Sequence, residues 1–157
     1  MARRGGGVKI LNLGAGNSIV SGAVNHDLVK HREEIDVTHD LNERPWPWSD
    51  ESFDVVIAHS VFEHLRITLV EALDECWRIL RPGAELFIKL PMWNSETSYR
   101  DPTHVWHLSP GALDYFDPDR KAGRAYHWYT PRKWEIVKGP WLNNAETSFL
   151  ARMRVRK

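Results

Sequence analysis

Apolar and polar positions alternate in short bursts along the first half of this chain. Val8-Lys9-Ile10-Leu11-Asn12-Leu13 is an apolar, β-favouring run ending at Gly14, and it predicts a buried strand. "GAVNHD" predicts a second short strand ending at Asp27, and "EIDVTHD" a third ending at Asp40. "FDVVIAHS" has the continuous apolar centre Val55-Val56-Ile57-Ala58, the pattern of a strand covered on both faces. Ile67, Val70, Leu73, Trp77 and Leu80 then recur at spacings of 3, 3, 4 and 3, one face of an amphipathic helix. Arg78 and Arg81 suit its C-terminal end, and Pro82-Gly83 stops it. "AELFIKL" predicts the next strand, closed by Pro91. Near the end, Phe149, Ala151, Met153 and Val155 alternate with Leu150, Arg152, Arg154 and Arg156, as in a half-exposed strand.

Buried strands separated by helices or loops predict an α/β sheet. The first connections are short: nine residues separate Gly16 from His26, so a full crossover helix barely fits. No repeat or domain boundary interrupts the 157 residues, which read as one domain (1–157) with an irregular aromatic segment at about 93–129. That length buries a sizeable core without staples. The formal net charge of zero implies no broad attraction to nucleic acid or anionic membrane. The single cysteine, Cys76, excludes an internal disulfide or a multi-cysteine zinc site and fits a reducing compartment. No apolar run approaches the roughly 20 residues of a membrane span. "MARRGGG" lacks the apolar stretch of a signal peptide. A cytoplasmic protein with no membrane partner is expected.

In an open parallel sheet, ligands bind beyond the C-terminal strand ends. Gly14-Ala15-Gly16-Asn17 follows the first strand, Asp27 ends the second, Asp40-Leu41-Asn42 follows the third, and His59-Ser60 the fourth. Glycines allow a sharp turn and close backbone approach. An acidic side chain can accept from both hydroxyls of a ribose, and an Asp with backbone amides can read an adenine edge. Each feature has a plainer reading, since a GxG is often only a turn and a strand-end Asp a turn residue. Their succession in chain order points to an adenosine site. A dinucleotide site wants GxGxxG and an acid about 20 residues on. Here position 19 is Ile19 and Asp27 follows Gly14 by only 13 residues, which disfavours an NAD-dependent oxidoreductase.

"ILNLGAGN", "NHDL", "DVTHDLNERPWPWSDESFDVVIAHSVFEHL" and "LDECWRILRPGAELFIKLP" together closely resemble the class I S-adenosylmethionine-dependent methyltransferases over roughly residues 8 to 91. "DPTH", Asp101 to His104, resembles a loop of the same compact subgroup. The resemblance implies a Rossmann-like, mostly parallel seven-stranded sheet with the last strand antiparallel and, here, a reduced first crossover. It implies S-adenosylmethionine as cofactor and S-adenosylhomocysteine as product. Gly14, Ala15 and Gly16 would line the methionine portion and ribose. Asp27 would hold the ribose hydroxyls, with Leu28 against the adenine. Asp40 and Leu41 would lie at the adenine, and His59 and Ser60 on the methionine side. Two positions depart from the family, which often has an acid where Asn12 stands and a glycine where Ser18 stands.

Other residues have competing readings. Glu63-His64 either orients the loop after the fourth strand or, through His64, touches the ligand. Pro45-Trp46-Pro47-Trp48 reads as a packed clasp, with adenine stacking by one indole as the alternative. Cys76 reads as a small core residue. Asp101, His104 and His107 lack a further ligand set, so no metal is expected. His104, then Asp101 and His59, are the candidate bases for an acceptor that must lose a proton. The aromatics from Trp93 to Tyr129 divide between core and a substrate wall. Neither a Pro-Cys context nor an Asp/Asn-Pro-Pro-aromatic motif is present. That favours a small-molecule acceptor over a nucleic acid. The rival to an enzyme is a non-catalytic S-adenosylmethionine-binding or interaction module of the same fold.

Overall fold

The computed structural model describes residues 7–157; residues 1–6, most of the basic "MARRGGG" stretch, lie outside the described residues. Seven strands form the sheet: β1 (Ile10–Leu13), β2 (Val24–Asp27), β3 (Val37–Thr38), β4 (Phe53–His59), β5 (Leu80–Pro91), β6 (Lys133–Leu142) and β7 (Ser148–Arg156). Their order is β3-β2-β1-β4-β5-β7-β6. Neighbours from β3 to β5 run parallel, and β7 runs antiparallel to both β5 and β6. This is the mostly parallel, seven-stranded α/β sheet expected. Among the described residues no helix is long and apolar enough to cross a membrane.

The predicted helix is α1 (Leu69–Ile79). Thr68 starts it with a capping box: its hydroxyl accepts from the Glu71 N–H, and the Glu71 carboxylate accepts from the Thr68 N–H at 2.8 Å. Leu73, Cys76 and Ile79 sit with Leu11, Leu13, Val56, Ala58, Leu86 and Ile88 in one buried core. Burial raises the Cys76 thiol well above its ordinary pKa, as suits a core residue. α1 also clasps the Pro-Trp-Pro-Trp segment. The buried Glu75 carboxylate accepts from the Trp46 N–H at 2.7 Å, and Arg78 donates to the Trp46 and Trp48 carbonyls. Trp46 is buried and donates from Nε1 to the Leu41 carbonyl, so the clasp reading holds.

The first crossover is reduced, as expected, and the reduction is complete: residues 14–23, and 28–36 after them, contain no helix. Side chains stitch the first of these loops. Asn12 Nδ2 donates to the Ser18 carbonyl and to Asn25 Oδ1, which accepts in turn from the Val20 N–H. An acid at position 12 has no proton for the Ser18 carbonyl at neutral pH, which accounts for Asn12. The missing helices explain one correction. Val56 and Ala58 are buried, but Val55 and Ile57 are only half-buried, because among the described residues no helix covers the face they share with Phe87. On the β5–β7–β6 part of that face, Glu85 pairs with Arg152 and Arg154, and Arg154 with Glu135. It is an open, solvated face of the kind antiparallel sheets carry.

Candidate functional site

The turn after β1 explains its glycines. Gly14 has φ 55°, and a Cβ there would lie 2.7 Å from Val61 Cγ2. Both backbone shape and space therefore require glycine. Gly16 has φ 51° but open space around it. The buried Ala15 donates its N–H to the His26 carbonyl at 2.8 Å. His26 Nδ1 accepts from the Gly14 N–H at 3.3 Å, and Nε2 lies 2.9 Å from the His39 carbonyl. A carbonyl only accepts, so Nε2 carries the proton and the ring is neutral. Burial holds the pKa of His26 below 6.5, against the opposing pulls of the His39 carbonyl and the Asp27 charge.

Asp27 is committed in part to its own loop. Oδ2 accepts from the Gly16 N–H and Oδ1 from the Leu28 N–H, both at 2.7 Å. A carboxylate has about four lone-pair sites, so two remain. Leu28 is 60% exposed at the cavity rim. Asp40 Oδ1 accepts from the Asn42 backbone and side chain, and Asn42 Oδ1 accepts from the Arg66 N–H.

Two cavities open at this edge of the sheet. One, of about 700 Å³, is lined by Gly14, Asp27, Leu28, Asp40, Leu41, Val61 and Leu65 among others. The other, of about 650 Å³, is polar, with Glu63, Lys89, Arg100, Asp101, Asn143 and Thr147 on its walls. Ser60, His64, Pro102 and His104 line both. Ser60 has a left-handed backbone, φ 55°, rare outside glycine, and donates its N–H to the Lys89 carbonyl.

The shared wall is densely connected. Thr103 donates from its backbone and its hydroxyl to Asp101 Oδ1, at 2.9 and 2.7 Å. These bonds hold Asp101 below the ordinary carboxylate pKa. His64 Nδ1 meets the Thr103 hydroxyl at 2.8 Å, and His104 Nδ1 the Ser98 carbonyl at 2.9 Å. The two imidazoles pack edge-on, with centroids 4.6 Å apart. Beneath them lies Glu63, 1% exposed, with neither carboxylate oxygen in a hydrogen bond. Burial pushes its pKa up to about 7; its own backbone N–H, outside hydrogen-bond geometry, opposes this, as does Lys89, while the Asp101 charge adds to it.

Several expected residues fall elsewhere. His59 is exposed and lines neither cavity, because strand alternation turns it away where Ser60 turns in. Ala15 and Gly16 belong to the turn, their N–H groups bonded to His26 and Asp27, and line neither cavity. Trp46 and Trp48 do not reach the cavities. Nor do the aromatics of 93–129: Tyr115, Tyr126, Trp128 and Tyr129 cluster on one another instead. That segment contributes Thr97 and Arg100 to Val105 to the walls. His107 stacks on Tyr99 and meets Ser98 Oγ, apart from Asp101 and His104. Lys89, Arg100, Asn143 and Thr147 carried no motif in the sequence, and the "EH" after the fourth strand was the sole pointer to Glu63.

A profile of the methyltransferase-domain family matches residues 11–88. No curated protein sequence matches the chain. Among solved structures, it is similar to an S-adenosylmethionine-dependent methyltransferase from Mesorhizobium loti, at TM-score 0.65 and 12% identity, covering 95% of this chain and 91% of that one. It is similar to one from Archaeoglobus fulgidus at TM-score 0.61 and 16% identity, covering 94% and 86%. It also resembles a chain in a Haloferax volcanii complex between a methyltransferase and its Trm112 activator, at 0.65 and 13%, covering 96% and 84%. At these identities the structural likeness speaks to the fold, and the profile match to the family. By its matched domain and its class I sheet, the chain is an S-adenosylmethionine-dependent methyltransferase.

Proposed function

We propose that the chain methylates a small polar acceptor, with cofactor in the 700 Å³ cavity and acceptor in the polar cavity beside it. The observation that carries this reading is the wall the two cavities share, Ser60, His64, Pro102 and His104. The larger cavity lies within the roughly 300–1,000 Å³ of small-molecule sites. Its chemistry suits an adenosine: Asp27 and Asp40 offer free lone pairs, and the exposed Leu28 and the buried Leu41 offer apolar surface. Bound S-adenosylmethionine supplies an activated sulfonium methyl group. Asp27 then anchors the ribose, Gly14 gives it room, and Ser60 and His64 border the methionine end. Ala15 and Gly16 shape the turn. Holding an acceptor in line contributes up to about 7–11 kcal/mol. An acceptor that must lose a proton meets His104 first, then Asp101. Lys89, Arg100, Asn143 and Thr147 orient its polar groups. We place this work in one cytoplasmic domain, with 93–129 as the arm carrying Asp101 and His104.

A second reading, a non-catalytic S-adenosylmethionine-binding or interaction module, is favoured by the helix-free crossovers and by the share of Asp27 already spent on Gly16 and Leu28. Calorimetry with S-adenosylhomocysteine separates the cases. Asp27→Asn should weaken binding roughly 10- to 100-fold, the loss of hydrogen bonds to a charged group. His104→Ala should keep cofactor affinity and lose turnover of labelled methyl to small polar acceptors. Wild-type protein that binds no S-adenosylhomocysteine sinks both readings of the larger cavity. Binding without transfer to any acceptor leaves the module.

A further inference from the structure

Among the described residues, Glu63 is the only side chain with both carboxylate oxygens buried and unpartnered. Its neighbours sharpen the anomaly. The Ser98 carbonyl only accepts, so His104 Nδ1 is the donor and Nε2 holds the lone pair, 3.9 Å from Glu63 Oε1. The Thr103 hydroxyl gives its proton to Asp101, so it accepts from His64 Nδ1, and the lone pair of that ring also sits on Nε2. With Glu63 ionised, its carboxylate and the two ring lone pairs are three electron-pair donors gathered in one place. One ring nitrogen of each histidine and a Glu63 oxygen lie within 4.8 Å of one another. Both histidines already hold their second nitrogen on an oxygen, the support that metal-bound imidazoles usually have.

We propose that Glu63, His64 and His104 form a binding site for a divalent first-row transition metal, opening onto the polar cavity. Two imidazoles and a carboxylate suit zinc or iron and leave positions free. Asp101 Oδ2, 4.0 Å from His104 Nε2 at the rim, stands ready as a further oxygen. Bonds of about 2.0–2.1 Å would draw the donors closer than they stand here, to about 3.4 Å apart for a tetrahedral ion. Binding would therefore require His64 and Glu63 to turn toward His104. The open positions face the space lined by Lys89 and Arg100, where they would take an oxygen of the cavity's occupant. A bound ion also occupies the lone pair of His104, so the proton-accepting duty given to that ring above passes to Asp101.

The test needs neither cofactor nor acceptor, so it is independent of the methyl-transfer reading. Protein stripped by a chelator is titrated with Zn²⁺ by calorimetry and with Co²⁺ by visible absorption. We expect one ion per chain and cobalt d–d bands. Glu63→Gln and His104→Ala should each lower affinity at least tenfold, with His107→Ala unchanged as a control. If either buried variant misfolds by circular dichroism, His64→Ala replaces it. No saturable binding by the wild type overturns the proposal, as does equal affinity in the folded cluster variants.

Discussion

Individual residues around the turn after β1 do more than a motif would suggest. His26 is a neutral, buried ring with both nitrogens in use, joining Gly14 to the carbonyl before Asp40. Protonating Nδ1 would remove the Gly14 bond and charge a buried ring. Its folded pKa lies below its unfolded 6.5, so its contribution to stability is present above 6.5 and lost as pH falls through the folded value. Between pH 7.5 and 5.5 the wild type should therefore lose melting temperature relative to His26→Gln, so that the gap between the two profiles narrows as the pH falls. Parallel wild-type and variant profiles would show that His26 keeps the same pKa in both states. The sequence did not mark this histidine, because nothing in "VNHD" says which face of the strand carries it. It did mark Gly14, but the reason, Val61 pressed against the missing Cβ, is a contact across 47 residues of chain.

Elements were legible where their ends were punctuated. β1, β2, β4 and α1 each finish at or beside a glycine, an acid or a change of period, and all lie where the pattern put them within a few residues. β6 was missed. It is an edge strand interrupted by Gly139-Pro140, with register shifts at Ile136/Lys138 and Lys138/Trp141, so its period breaks where a periodicity search needs it. An edge tolerates such a proline because one side of the backbone has no partner strand. The segment before it breaks into short helices, Pro110–Phe116, Lys121–Ala125 and His127–Tyr129, too brief for a periodic signal. α1 offers a clean test at this scale. Thr68→Ala removes the capping hydroxyl and should cost about 1 kcal/mol, or roughly 2–4 °C in Tm. Cofactor affinity should not change, since no residue of α1 lines either cavity. A calorimetric change in affinity would mean that the cap reaches the site through the Arg44–Glu71 ion pair.

At the scale of the whole molecule, the sheet has one deep core and one open face. The continuous run Val55 to Ala58 predicted two covered faces, because a sequence shows which residues are apolar but not which helices are missing. The candidate site was legible on the cofactor side, where strand ends recur in order. The polar cavity was not, because Lys89 comes from β5, Arg100 from the helix Glu96–Arg100, and Asn143 and Thr147 from the β6–β7 connection. Only the closed sheet edge brings them together. The wall of Ser60, His64, Pro102 and His104, common to both cavities, has a thermodynamic consequence. A ligand that tightens one side of four shared residues alters the other side, so the two binding events are linked. Linkage is reciprocal: whatever factor the first ligand applies to the second, the second applies to the first. S-adenosylhomocysteine should change the affinity of a polar-cavity ligand by about 5- to 150-fold, the usual range for coupled sites, and be changed by it equally. Calorimetric titration of each ligand with and without the other checks both halves of that equality; identical affinities throughout would mean a wall too rigid to carry the coupling. The doubly filled complex is the same whichever ligand enters first, and favourable coupling would raise its share at the expense of the two singly filled states.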